Sequence, residues 1–250
     1  MPIVAADLVI YNAATMPETD SGTSGGAIDP LRRPDFTQLA ANDDIEVIST
    51  AAGDTQNCTI EGRDAAGNLV SETAALTGTT AKIFATLGIV ERALDAELAS
   101  VAIGTITVRR SVAGATLRVI PVGERGFSMF GRKISSDPAA IKNYYFKVFV
   151  KNTHATLALT STTFKQNADP DARIMHLPAA TVNDTATSTT RITAPAVADT
   201  LDPDTFDDTD KLVGSLAAGA AWANWLRIQL PIGDTPHKTT YTLEVTGQST

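Results

Sequence analysis

Cysteine is almost missing from this sequence: Cys58 is the one thiol in 250 residues. A single thiol excludes an intramolecular disulfide and any zinc site built from clustered cysteines. Cys58 alternates with Ile60 in a strand-like run, which predicts a buried packing residue. Charged residues are scarce at 19% and aromatic residues make up 6%. The net charge is −8 and no run of Lys and Arg occurs. The basic stripe that neutralises nucleic-acid phosphates is therefore missing. The same acidity disfavours an anionic membrane surface and favours solubility. No stretch approaches the ~20 apolar residues of a membrane helix. The opening residues, MPIVAADLVIYNAATM, lack the basic leader and apolar centre of a signal peptide. These absences predict a soluble chain made in a cytosol, with neither a nucleic acid nor a membrane as partner.

Catalytic signatures are equally thin. Neither a G-x-x-x-x-G-K phosphate loop nor a G-x-G-x-x-G turn opening a helix is present. The string GTSGG at 22–26 matches the G-x-S-x-G elbow, which needs a core strand before it and a helix after it. Its flanks, ETDS and AIDP, supply neither, so Ser24 is expected in a flexible loop. His154, His176 and His237 lack a second ligand at a spacing such as H-E-x-x-H. No cofactor is expected, and the chain is expected not to be an enzyme.

What is present is Thr, Ser, Ala and Gly, with 43% hydrophobic residues to build a core. Thr and Val favour strands, and Gly, Asn, Asp and Pro punctuate turns. NCTIEG and LVSETAAL flank the turn DAAGN and predict a hairpin, with Cys58 and Ile60 on one face. TITVRR and TLRVI flank SVAGA in the same way, with Ile106 and Val108 inward and Thr105, Thr107 and Arg109 outward. The segment 87–99 is ambiguous, because Leu87, Val90, Leu94 and Leu98 fit helical spacing among neighbours that read as strands. NYYFKVFVKN predicts a strong strand, with Phe146, Val148 and Val150 on one face and Tyr145, Lys147 and Phe149 on the other. WANWLRIQL groups Trp222, Leu226, Ile228 and Leu230, and YTLEVTG groups Tyr241, Leu243 and Val245. These two runs are expected to form an antiparallel pair around the turn PIGDTPHK. The fold class is all-β, with two β-sandwich-like domains of immunoglobulin-like or jelly-roll-like type and an extended N-terminal arm. The expected boundaries are an arm and loop over 1–44, a first sandwich over 45–120, a linker over 121–139 and a second sandwich over 140–250.

Two clusters are candidate sites. The polar segment ADTLDPDTFDDTD carries Asp199, Asp202, Asp204, Asp207, Asp208 and Asp210. Calcium takes several oxygen ligands, which makes Asp202, Asp204, Asp207, Asp208 and Asp210 a calcium candidate. The EF-hand Gly and distal Glu are lacking, and a solvated surface loop is the alternative. The second cluster is aromatic. Tyr145, Phe149 and Trp225, with Arg227, fall on the faces opposite the core set. They mark either an intersubunit hot spot or a second buried face.

Three stretches carry a resemblance to a family. DTQNCTIEGRDAAGNLVSETAALTGTT (54–80), NYYFKVFVKNTHATLALTSTTF (143–164) and GSLAAGAAWANWLRIQLPIGDT (214–235) resemble strand and hairpin motifs of tailed-bacteriophage virion structural proteins. The opening segment, AADLVIYNAATMPETDSGTSGGAID, is similar in kind. The resemblance implies a particle component located in the virion: a head decoration, minor capsid or head-to-tail joining protein. Its partners would be the major capsid protein, other virion proteins and further copies of itself. It implies no catalytic residue, and for Trp225, Arg227 and Pro231 it implies packing or subunit contact. A tail or baseplate component, or a receptor- or carbohydrate-binding module, is the alternative.

Overall fold

The computed structural model describes residues 2–168, 172–202, 204–235 and 241–250. It is all-β, with 50% strand and 3% helix. The strands run in chain order as β1 (Leu8–Thr15), β2 (Ser24–Asp29), β3 (Arg32–Arg33), β4 (Ile45–Ser49), β5 (Asn57–Asp64) and β6 (Leu69–Ala75). They continue as β7 (Lys82–Ile83), β8 (Val90–Leu98), β9 (Ile106–Arg110), β10 (Thr116–Ile120), β11 (Gly126–Ser128) and β12 (Lys142–Asn152). The last are β13 (Leu159–Ala168), β14 (Ile174–Val182), β15 (Thr187–Ser188), β16 (Lys211–Leu216), β17 (Ala221–Leu230) and β18 (Thr242–Ser249). The chain divides into two compact units, one of residues 30–129 and one of 1–29 with 130–250.

The unit of residues 30–129 holds a four-stranded sheet, β10-β9-β4-β7, and a five-stranded sheet, β3-β11-β8-β5-β6. Side chains from both sheets meet in one core that includes Ile45, Val47, Cys58, Ile60, Val108 and Phe127. The alternation expected at Cys58 and Ile60 is observed. The β5–β6 hairpin also forms, from Asn57↔Ala75 to Arg63↔Leu69. Its turn is closed by Asp64, whose Oδ1 accepts from the Ala66 and Asn68 amides. Gly67 adopts φ 83° in that turn, where a side chain would be strained. The β9–β10 pair forms as expected, with Ile106 and Val108 fully buried.

Segment 87–99 resolves as a strand, and its helical spacing has a physical cause. Along β5, the partners of Glu61 and Gly62 are Asp95 and Ala93, which passes over Leu94. The partners of Arg63 and Asp64 are Arg92 and Val90, which passes over Glu91. Each bulge inserts one residue, so an inward period of two stretches towards three and four.

A buried carboxylate ties this unit together. Asp54 is fully buried. It accepts from the Ile103 and Gly104 amides, each at 2.9 Å, and from Ser49 Oγ. Burial opposes its ionisation, but the Ser49 hydroxyl and the two amides outweigh it and hold the carboxyl below the usual range.

The larger unit holds a six-stranded sheet, β14-β17-β12-β1-β2-β15, and a three-stranded sheet, β16-β13-β18. Val150 and Trp222 of the first sheet pack with Leu159, Phe164 and Leu216 of the second. Two expectations are corrected here. Residues 1–44 are not a loose arm: β1 pairs with β12 from Leu8↔Asn152 to Asn12↔Val148, and β2 pairs with β1. The alternation of Leu8, Ile10 and Asn12 with Val9, Tyr11 and Ala13 suits a strand inserted between two others. The expected linker at 121–139 contains β11, whose Phe127 is fully buried, and the unit boundary falls at 129–130. A third correction concerns the C-terminus. The runs at 222–230 and 241–245 do not pair; β17 lies between β14 and β12, while β18 pairs with β13. Residues 236–238 of the turn expected between them, His237 included, lie outside the described residues.

Replacing Asp54 with Ala strands buried amides at once. The expected loss is about 2–4 kcal/mol of unfolding free energy for the 30–129 unit, read by urea denaturation.

Candidate functional site

The most unusual chemistry lies on the second face of the six-stranded sheet. The β12–β17 register places Tyr145 opposite Arg227, Lys147 opposite Trp225 and Phe149 opposite Ala223. These are the faces that alternation assigns to Tyr145, Phe149 and Trp225. They are not an open interface patch. Trp225 is 0% and Phe149 1% exposed, and Tyr145 is also buried. The interface expectation for Tyr145, Phe149, Trp225 and Arg227 is corrected accordingly: this face is closed by the chain itself.

The covering comes from β2, from Asp184 and Ala186 between β14 and β15, and from Phe206 between β15 and β16. Phe206 meets the Tyr145 ring edge-on at 5.4 Å, and Arg227 lies over Phe206 at 5.8 Å. The acidic segment expected to be a surface loop is thus anchored on the sheet by its one aromatic residue. The Leu201 amide donates to Pro178 O and the His176 amide to Asp207 O, which sets the segment alongside β14. On the other side, Gly25 adopts φ 104°. A Cβ there would lie 2.6 Å from the Trp225 ring, so only glycine lets β2 approach. Ser24 is likewise not in a flexible loop. It is fully buried at the start of β2, and its Oγ donates to Tyr145 O at 2.9 Å. The hydroxyl has a backbone partner in place of a catalytic base.

Lys147 is enclosed in this face at 0% exposure. Its Nζ donates to Ala186 O at 2.9 Å and to Gly26 O at 3.0 Å, with a longer contact to Asp184 O at 3.4 Å. It forms an ion pair with the Asp184 carboxylate and lies 5.2 Å from the rings of Phe149 and Trp225. Burial pulls the lysine below its ordinary pKa, against the opposing pull of Asp184 and Asp199. The pair has an asymmetry. Asp184 Oδ1 accepts from the Ala186 amide, whereas the buried Oδ2 faces Nζ in the ion pair. Sequence reasoning placed Lys147 on this face but missed Asp184. The available signal was a charge in the middle of an apolar strand, which requires a partner.

The Asp segment is used by cations of the chain. Lys211, itself buried, pairs with Asp207 at 2.9 Å and with Asp204 at 3.8 Å. Asp210 pairs with Lys165 at 2.9 Å. Burial opposes ionisation of Asp207, but bonds from Thr209 and Lys211 prevail and bring its carboxyl down to about 2. Among the described residues, Asp202, Asp204, Asp207, Asp208 and Asp210 do not converge on a common point, and no group of three or more His, Cys, Asp or Glu could hold a metal.

The histidines and Cys58 have structural surroundings. His154 Nδ1 accepts from the Thr156 and Leu157 amides in a turn. Burial pushes the Cys58 thiol up, so it stays protonated as a packing group. His176 is fully buried on the opposite face of the sheet from Lys147. Its Nε2 donates to Thr209 O at 3.0 Å, and its Nδ1 lies 3.4 Å from Asn224 Oδ1. A neutral ring protonated at Nε2 offers Nδ1 as an acceptor, and the Asn224 amide nitrogen lacks an acceptor. Turning that amide end for end satisfies both groups. Burial depresses the His176 pKa and the Lys211 charge adds to this, against the bond to Thr209 and the Asp207 charge.

A histidine depressed in the folded state contributes stability above its unfolded value of 6.5, and that stability is lost as the pH falls below it. Unfolding free energy is therefore expected to decline on acidification from pH 6.5. His176→Gln is expected to flatten this decline, which chemical denaturation at a series of pH values would measure. No protein-family model, no curated protein and no solved structure matches this chain.

Proposed function

We propose that this chain is a structural component of a tailed-phage particle, a head decoration or minor capsid protein that stabilises or joins capsid subunits by protein–protein contacts. The observation that carries the reading is the resemblance of three stretches to virion proteins, in order along one chain. Those stretches coincide with strand-bearing segments: 54–80 with β5 and β6, 143–164 with β12 and β13, and 214–235 with β16 and β17. We read the sheets within each unit as sandwich-like layers, a rigid platform suited to repeated contacts in a symmetric shell.

The contact surface differs from the one first expected, because the Tyr145–Trp225 face is filled. Apolar side chains that remain outside include Val101, Ile103 and Val122, at 42%, 63% and 62% exposure. They are neighbours, since the Ala102 amide donates to Glu124 O and the Gly123 amide to Ala102 O. Such clusters support weak contacts that many copies make strong.

Locating the chain in purified particles tests the reading. It is expected on DNA-filled, tailless heads, in multiple copies. Finding it on isolated tails would shift the assignment to a tail or baseplate role. Glycan binding or substrate turnover by a chain that never enters particles would overturn it.

A further inference from the structure

The Lys147–Asp184 pair has features that an ordinary buried ion pair does not need. The nitrogen has no solvent contact, and the rings of Phe149 and Trp225 wall it off. Two of its hydrogens have good acceptors in Gly26 O and Ala186 O, while the third contact, to Asp184 O, is long. A neutral amine with both hydrogens placed on those two carbonyls keeps its lone pair for the remaining direction. In that direction stands the Asp184 carboxyl group, whose buried Oδ2 is the atom paired with Nζ. Amine and carboxyl group are thus held against each other in a site closed to water.

We propose that Lys147 and Asp184 condense in the folded protein to an amide joining their side chains. The pair first exchanges a proton to its neutral form, amine and carboxylic acid. Nζ then attacks Cγ of Asp184, the Nζ–Cγ bond forms and the Cγ–OH bond breaks. The departing hydroxyl takes a proton released by nitrogen and leaves as water, so no oxidant, cofactor or other reactant is consumed.

Two physical arguments favour this outcome. Two charges held in a dry site carry a large desolvation penalty, and conversion to a neutral amide removes both. Burial also favours the neutral amine, in line with the depressed lysine. Amide formation from free acid and amine is unfavourable in water, but fixed neighbours act at effective concentrations of about 10⁵–10⁸ M. The hydrogen bonds close afterwards. The amide retains one N–H for Gly26 O, and Ala186 O keeps the bond from the Gly26 amide at 2.9 Å. The product would clamp the centre of β12 to the segment between β14 and β15 that covers it.

Mass spectrometry of the intact, denatured full-length protein tests the proposal. The native chain is expected to be lighter than its sequence mass by one water. Lys147→Arg is expected to show its full sequence mass, and so is Asp184→Ala. Protease digestion of the native chain is expected to yield a branched peptide joining the segment with Lys147 to the segment with Asp184. That peptide is read without any variant and so does not depend on the variants folding. A native chain at full sequence mass, or a lost water with no branched peptide, would overturn the proposal.

Discussion

Two adjacent strands that are dry on both faces govern the larger unit. β12 is buried at each position from Tyr144 to Val150, and β17 buries Ala221 through Leu226. A sheet covered on one side only can turn its polar side chains to water. These strands cannot, so their charged and amide side chains must be matched inside the protein. On one face the match is His176 with Asn224 and Thr209 O. On the other it is Lys147 with Asp184 and the carbonyls of Gly26 and Ala186. The irregular segment after β14 is explained by this demand. It brings Asp184, Ala186 and Phe206 to a face that would otherwise expose Trp225 and an unmatched ammonium. Removing one partner from such a pair costs far more than the pair itself gains, which makes the covering segment an integral part of the fold.

The smaller unit works by a different economy. Apart from the bulged β8, strands such as β5 and β9 alternate conventionally, and their outward residues are charged or hydroxylated. Glu46 pairs with Arg109 at 2.6 Å and also accepts from the Val112 and Ala113 amides, which holds the β9–β10 turn. Val112 and Ala113 have positive φ, at 55° and 56°, in a turn that glycine would enter at lower cost. The Glu46 carboxylate offsets part of that strain by satisfying both amides. Asp54 does the same for the chain at 103–104. This unit therefore uses buried carboxylates to satisfy irregular backbone, where sheet hydrogen bonds are missing.

The sequence made part of this visible. Period-two patterns at 57–62, 106–109 and 144–150 led directly to strands with the correct inward residues, because alternation is a local property of the pleat. Segment 87–99 misled because bulges at Glu91 and Leu94 altered the period. The opening 29 residues misled because their composition resembles a loop, whereas their partners, β12 and β15, lie more than a hundred residues away. The face of Tyr145, Phe149 and Trp225 was assigned correctly, but its occupant was not. Nothing local links Phe206 to Tyr145, Asp184 to Lys147 or Gly25 to Trp225. The readable sign was Lys147 itself, a charge between apolar neighbours. That position requires an internal partner, and the aromatic residues around it form its enclosure.

The central claim is that this chain closes the second face of its own sheet. Trp225 reports on it, since it is fully buried on that face, whereas Trp222 lies on the opposite face against the three-stranded sheet. Acrylamide quenching of tryptophan emission in a dilute, isolated Trp222→Phe variant, whose one remaining tryptophan is Trp225, is the direct measurement. A blue-shifted emission that resists quenching until the protein is unfolded is the expected result. Emission quenched as readily as that of free indole, becoming protected only on association with other subunits, would contradict the account.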